Sequence, residues 1–127
     1  MKVPRVFVTA DIGEGALDRL REAGFEVEVH PTIEPPDYAA LTARVESGIE
    51  ALVTTIRDRV DEPLLTAGAR AGLRIVAQVA VGYDNIDVAA ATRHGIPVSN
   101  TPDVLSDATA EFAFFMMGAV ARRLYPS

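Results

Sequence analysis

The sequence predicts an α/β fold: a doubly wound parallel sheet of five strands, with helices on both faces and a long apolar helix at its end. Three observations predict it. Short β-branched runs begin near residues 5, 26, 51, 74 and 96, leaving room for one helix between successive strands. The intervening stretches carry helical periodicity and helix-capping residues. Three of the five runs are almost continuously apolar, as strands covered on both faces should be, while one alternates.

The first strand is Arg5-Val6-Phe7-Val8-Thr9. A helix follows in which Leu17 and Leu20 share a face, and Gly24 can close it. Glu26-Val27-Glu28-Val29 alternates, which predicts an edge strand with its charges turned to water. Asp37 can cap the second helix, where Tyr38, Leu41 and Val45 fall on one face. Ala51-Leu52-Val53-Thr54-Thr55 is the third strand. Asp61 can cap a short third helix that ends before Gly72. Arg74-Ile75-Val76-Ala77-Gln78-Val79 is the fourth strand. Asp87 can cap a fourth helix from Val88 to His94, closed by Gly95. Ile96-Pro97-Val98-Ser99-Asn100 is the fifth strand, and Ser106 can cap a fifth helix running to about Leu124. Parallel strands need right-handed crossovers. Five such units predict a flavodoxin-like sheet in the order 2-1-3-4-5.

The fifth helix departs from the pattern. Glu111-Phe112-Ala113-Phe114-Phe115-Met116-Met117-Gly118-Ala119-Val120-Ala121 is apolar all round, whereas a helix on the outside of a sheet needs only one apolar stripe. It is either tucked between sheet and neighbouring helices or covered by a further domain or a second copy.

Composition narrows the function. The 127 residues are one domain's worth and include no cysteine. A disulfide scaffold, a thiol nucleophile, a thiolate zinc site and an iron–sulfur cluster are excluded. A net charge of -6 argues against nucleic acid or an anionic membrane as partner. The N-terminal stretch MKVPRVFVTADIGEG does not read as a signal peptide, and no 18-residue apolar run exists. A cytoplasmic protein without a metal site is expected.

Ligands of open α/β sheets bind beyond the carboxyl ends of the strands. There, Gly13-Glu14-Gly15 opens a helix, but Asp18 stands where a dinucleotide fingerprint has its third glycine. Asp11 and Glu14 would face the phosphates, so the glycines read as a turn. A phospho-acceptor receiver site fails too. Asp11 is alone after the first strand, the third ends in Thr54-Thr55, and no lysine follows the fifth. His30 and His94 lack a sequence partner and read as surface structural residues. Asp84 and Asp87 read as turn and cap. Segment 78–87 is different: an apolar strand breaks at Gly82 and turns through Asp84-Asn85. Its successive N–H groups can form a nest for a small carboxylate.

VAVGYDNID at 79–87 and HGIPVSNTPDVLSDATAE at 94–111 closely resemble the NAD(P)-dependent D-2-hydroxyacid dehydrogenases, nearest the glyoxylate/hydroxypyruvate reductase branch. VFVTADIGEGALDRLREAG at 6–24 and ALVTTIRDRVDEPLL at 51–65 agree, so the resemblance covers essentially the whole chain. It implies a flavodoxin-like substrate domain, which in that family is joined to a Rossmann domain. The parent reaction it implies is reduction of a small 2-oxo acid, such as glyoxylate or hydroxypyruvate, by NADH or NADPH. The N–H groups of Val81 and Gly82 would hold the substrate carboxylate. Thr54, Thr55 and Arg57 would line the same cleft. Ser106, Asp107 and Thr109 would begin the helix bordering the nicotinamide. The apolar 112–121 helix would pack on the second domain or on a dimer partner, through Phe112, Phe115 and Met116.

The family's carboxylate-clamping arginine, its histidine–glutamate proton donor and its G-x-G-x-x-G have no counterpart in these 127 residues. No catalytic residue is therefore assigned. Residues 1–127 are expected to be a single substrate-domain segment without the Rossmann domain, binding no cofactor and inactive alone. The competing expectation is a stand-alone flavodoxin-like module that oligomerises or binds a small ligand without catalysis. Exchange of the last helix between copies is a third.

Overall fold

The computed structural model describes residues 2–124. Its elements alternate: β1 (Arg5–Val8), α1 (Glu14–Glu22), β2 (Glu26–Val29), α2 (Tyr38–Glu46), β3 (Ala51–Thr54), α3 (Glu62–Ala71), β4 (Ile75–Gln78), α4 (Val88–Arg93), β5 (Val98–Ser99) and α5 (Ser106–Ala121). All strand pairs are parallel, and the sheet order is β2-β1-β3-β4-β5, as the five-unit doubly wound reading predicts. The strands are shorter than the apolar runs. β4 drops Arg74 and Val79, and β5 keeps only two residues of its five-residue run.

Side-chain alternation divides the core into two layers. On one face Phe7, Leu52 and Val76 pack against Leu41 and Val45 of α2, Leu64 and Leu65 of α3, and Ala90 and Ala91 of α4. On the other, Val6, Val8 and Val53 meet Leu17 and Leu20 of α1. The first layer is tight where α3 passes α2. A Cβ on Gly68 would lie 2.9 Å from Val45 Cγ1 and 2.7 Å from Leu73 Cδ2. β2 is an edge strand as expected, and Glu28 reaches Arg44 of α2 at 2.7 Å.

The second layer is incomplete. α1 covers β1, β2 and β3, and the layer reaches Ala77 of β4, but Ile75 and Val79 on either side of it stay open on this face. Ile75 is 36% exposed and Val79 43%. The expectation that the fourth strand is covered on both faces is thus corrected. The reason is α5, which does not fold back over the sheet: none of its residues is buried. No described helix is long and apolar enough to cross a membrane.

Helix ends follow the chemistry of their sequences. Asp37, Asp61 and Asp87 each accept the N–H three residues on, from Ala40, Leu64 and Ala90. Gly24 closes α1, with its N–H on Arg21 O and that of Phe25 on Leu20 O. Gly95 (φ 67°) closes α4 in the same two-bond form, donating to Thr92 O while Ile96 donates to Ala91 O. The expected Ser106 cap is corrected. Leu105 holds the cap position of α5, Ser106 is already helical, and no side chain caps the end.

Asp61 does more than cap. Its carboxylate accepts from Tyr38 Oη at 2.5 Å and pairs with Arg59 at 2.8 Å, and the Arg59 guanidinium lies over the Tyr38 ring. Burial pushes the Asp61 carboxyl up, but the bonds from Tyr38 and the Leu64 N–H, with Arg59, outweigh it and leave its pKa lowered. A depressed folded pKa stabilises above the unfolded value of about 3.9 and is lost as pH falls through the folded value. Asp61→Asn keeps a cap oxygen but loses the charge. Urea unfolding is therefore expected to find it less stable than wild type at pH 7, with the gap closing as pH falls through the lowered folded value. A gap that persists undiminished in acid overturns this reading.

Candidate functional site

The loops after β3 and β4 lie side by side at the carboxyl end of the sheet and are laced together by main-chain bonds. Val79 N–H donates to Thr54 O, Val60 N–H to Asn85 O, and Asp87 N–H to Val60 O. Val60 and Ile86 form an isolated parallel bridge. The Asn85 carboxamide completes the seam, Nδ2 donating to Asp58 O (2.7 Å) and Thr55 O (3.1 Å).

The predicted carboxylate loop has a definite polarity. The Ala80 carbonyl accepts from Thr101 N–H, the Val81 carbonyl from Asn100 Nδ2 at 2.8 Å, and the Gly82 carbonyl from Gln78 Nε2 at 3.2 Å. A trans peptide points its N–H opposite to its carbonyl. Anchoring Ala80 O and Val81 O therefore turns the N–H groups of Val81 and Gly82 the other way. Among the described residues neither finds a protein acceptor. Gly82 is exposed and has no positive φ, and a Cβ there would only touch Ile56 Cδ1 at 3.8 Å. Nothing inside the chain demands a glycine at this position.

The other predicted residues divide. Thr54 has no exposed surface, and its hydroxyl donates to Gln78 Oε1 at 2.7 Å, so it backs the loop rather than facing solvent. Thr55 is half-buried and directs both its N–H (2.7 Å) and its hydroxyl (3.1 Å) to Asp58 Oδ2. Arg57 is exposed, with Nη2 donating to Ile33 O at 3.0 Å. It borders two hollows at this end of the sheet. One, of about 400 Å³, includes Ile56, Asp58, Asp84 and Asn85; the other, of about 370 Å³, includes Asp11, His30 and Ile33. Ser106 and Thr109 lie exposed in the first turn of α5.

Sequence reasoning missed Gln78 and Asp58. Asp58 is buried; its Oδ2 also accepts from Thr9 Oγ1 at 2.6 Å, while Oδ1 has no partner among the described residues. The signal was available: Thr55-Ile56-Arg57-Asp58 has the [ST]-x-x-[DE] spacing, in which the acidic side chain reaches back to the threonine N–H. Gln78 gave no such signal, because its partners come from three different segments. The histidines serve locally. His30 Nε2 lies 2.9 Å from Thr32 Oγ1, and His94, the cap residue after α4, lies 3.0 Å from Thr66 Oγ1.

The residues present do not fit a dinucleotide. The Gly13 N–H at the start of α1 is already donated to Asp11 Oδ1 at 2.8 Å, and Glu14 occupies the first turn. Among the described residues no cluster of three histidine or acidic side chains could hold a metal ion.

A doubly wound parallel sheet whose β3 and β4 loops are laced together at its carboxyl end defines a domain of the α/β class. Residues 6–123 match the model of the D-isomer specific 2-hydroxyacid dehydrogenase catalytic domain, and the chain belongs to that family. It is 50% identical over 121 residues to a glyoxylate reductase of Thermococcus kodakarensis, covering 95% of this chain and 35% of the relative. A glyoxylate reductase of Aeropyrum pernix is 49% identical, covering 98% and 36%. This chain thus spans about a third of the length of these relatives. Among solved structures, the TT0316 protein of Thermus thermophilus superposes with a TM-score of 0.85 at 44% identity, over 94% of this chain and 37% of that one. A 2-hydroxyacid dehydrogenase of Ketogulonicigenium vulgare gives 0.74 at 31% identity, over 98% and 37%.

Proposed function

We propose that residues 1–127 form the substrate-binding segment of a reductase that turns a small 2-oxo acid, such as glyoxylate or hydroxypyruvate, into the D-hydroxy acid with NADH or NADPH. The observation that carries this is the polarity of the 80–82 loop. Three consecutive carbonyls are anchored, and the Val81 and Gly82 N–H groups are left for an external acceptor. A carboxylate suits them: it is acceptor-only and can take both bonds at once. Thr55 and Arg57 line the approach, and Thr54 supports the loop from behind. Ser106 and Thr109 open the helix that borders the cofactor of the whole enzyme, which supplies hydride from elsewhere. No residue of this segment is given a proton-transfer or hydride role, and the segment alone turns nothing over. It pairs as a homodimer through Phe112, Phe115 and Met116, an arrangement supported by their exposure.

The test is a titration of the ¹⁵N-labelled chain with oxalate, a non-reacting 2-oxo acid mimic. The amides of Val81 and Gly82 are expected to shift in a saturable way while those of α1 stay put. Gly82→Ala is expected to fold at least as stably as wild type, since it removes freedom only from the unfolded chain, yet to bind oxalate less well. Unmoved Val81 and Gly82 amides at millimolar oxalate overturn the carboxylate reading. They would favour the second reading, a non-catalytic module that assembles through α5. NAD(P)H consumption with glyoxylate by the purified chain would overturn its inactivity.

A further inference from the structure

We propose that Gln78 is the positioning residue of this site: its buried carboxamide, clamped between Thr54, Asn85 and the Gly82 carbonyl, holds the 79–85 turn in the shape that presents its N–H groups to a carboxylate. This rests on the carboxylate reading and assigns that reading a residue behind the loop.

The position is unexpected for a polar residue. Gln78 ends β4 on the same face as Val76 and is 2% exposed. Burying a carboxamide is unfavourable unless its hydrogen-bonding groups are satisfied. Here they are. Nε2 donates to Asn85 Oδ1 at 2.7 Å and to Gly82 O at 3.2 Å, and Oε1 accepts from Thr54 Oγ1 at 2.7 Å. Thr54 is its register partner on β3, so the pairing of β3 with β4 sets the two side chains next to each other.

The orientation of each amide follows from the main chain. Asn85 faces two carbonyls, Thr55 O and Asp58 O, so its Nδ2 must point to them. Its Oδ1 then faces Gln78, which must answer with Nε2. That leaves Oε1 toward Thr54, whose hydroxyl must donate. The order runs from rigid seam to loop, and no member can flip without setting acceptor against acceptor.

The result bears on Gly82 most directly. Asn100 holds the peptide before it and Gln78 holds the peptide after it. The residue with the freest backbone in the loop is thereby fixed on both sides. Gln78 touches no substrate in this arrangement and acts through the loop.

Gln78→Met keeps the length and burial of the side chain but removes both donors. Oxalate titration of the ¹⁵N-labelled chain is expected to find at least tenfold weaker binding. The amides of residues 80–84 are expected to gain fast motion, with those of β1 and β3 unchanged. Thr54→Val leaves both loop bonds but removes the hydroxyl that orients the carboxamide; a smaller weakening, about threefold, is expected. Leu17→Ala is a destabilised control remote from the loop, and is expected to leave oxalate affinity as it was. Oxalate binding by Gln78→Met within twofold of wild type, with an unchanged loop, overturns the positioning role while the carboxylate site stands. Should Gln78→Met not fold, unchanged affinity in Thr54→Val overturns it. A wild-type chain whose Val81 and Gly82 ignore oxalate overturns both the site and this role.

Discussion

Leu52→Ala is expected to destabilise the protein by about 2–5 kcal/mol, the range for truncating a fully buried leucine. Leu52 has no exposed surface and sits on the central strand, between register partners Phe7 of β1 and Val76 of β4. Its side chain lies in the larger core layer with residues of α2, α3 and α4. Both flanking strands are pinned by ladder hydrogen bonds, so the vacated space cannot close by moving one of them. The cavity cost therefore adds to the lost transfer energy. A domain of this size is stable by roughly 5–15 kcal/mol, so the change removes a large share. Urea unfolding should report a midpoint lower by roughly 1–2.5 M with the slope unchanged, at about 2 kcal/mol per molar urea. Ile33→Ala is the matched control. Ile33 is 88% exposed, and its truncation should change stability by less than about 0.5 kcal/mol. A midpoint shift in Leu52→Ala no larger than the control's would mean that the two-layer core is wrongly placed.

What the sequence made legible was what repeats or acts locally. Leu52 itself stands in a run, ALVT, whose continuous apolarity marks a central strand. The caps Asp37, Asp61 and Asp87 act over three residues, and the αL glycines Gly24 and Gly95 over one turn. Each could be read without knowing the fold, and each is found in place. The strand order followed from reading five strand–helix units as a flavodoxin-like doubly wound sheet. Ser106 was misread because a serine before a helical run looks like a cap whether or not the chain turns there. Exposure of Ile75 and Val79 was illegible for another reason: apolarity says a face wants cover, not that cover is supplied. At the site, the turn through Asp84-Asn85 announced itself in residue types. Its supports did not. Gln78, Asn85, Thr54 and Asn100 are separated by up to 46 positions (100 minus 54) and meet only after β3, β4 and β5 have paired. Networks of this kind carry no period, and a lone buried glutamine in an apolar run reads as an interruption.

The second large effect is expected on α5. The helix presents Phe112, Phe115 and Met116 along one stripe, with Ala119 on the next turn, and these phenylalanines are 67% and 71% exposed. Phe114 packs only edge-to-face on Phe115, at 6.1 Å between centroids. A phenylalanine side chain carries about 150–250 Å² of buriable surface. Phe112 and Phe115 together therefore offer roughly 300–500 Å², and Met116 extends the stripe, while Phe114 and Met117 stand on the other side of the helix. That is half or more of the roughly 800 Å² per partner of a stable interface. An isolated patch of this size is seldom left in water. Charge favours a second copy laid antiparallel. Asp107 and Glu111 lie toward one end of the helix and Arg122 and Arg123 just past the other, so a two-fold pair sets opposite signs together. The chain is therefore expected to sediment as a dimer at micromolar concentration. Phe112→Ser, Phe115→Ser and Met116→Ser combined should move the monomer–dimer midpoint at least about a hundredfold higher, since two or more buried anchors at roughly 2 kcal/mol each are lost. Unfolding of the dissociated monomer should change little, because no residue of α5 is buried in it. Wild type that stays monomeric when concentrated about a hundredfold further would remove the dimer and leave α5 as a surface for a different polypeptide. Equal molar mass for wild type and triple variant, both dimeric, would place the interface elsewhere, with the bare Ile75–Val79 face of the sheet the next surface to truncate.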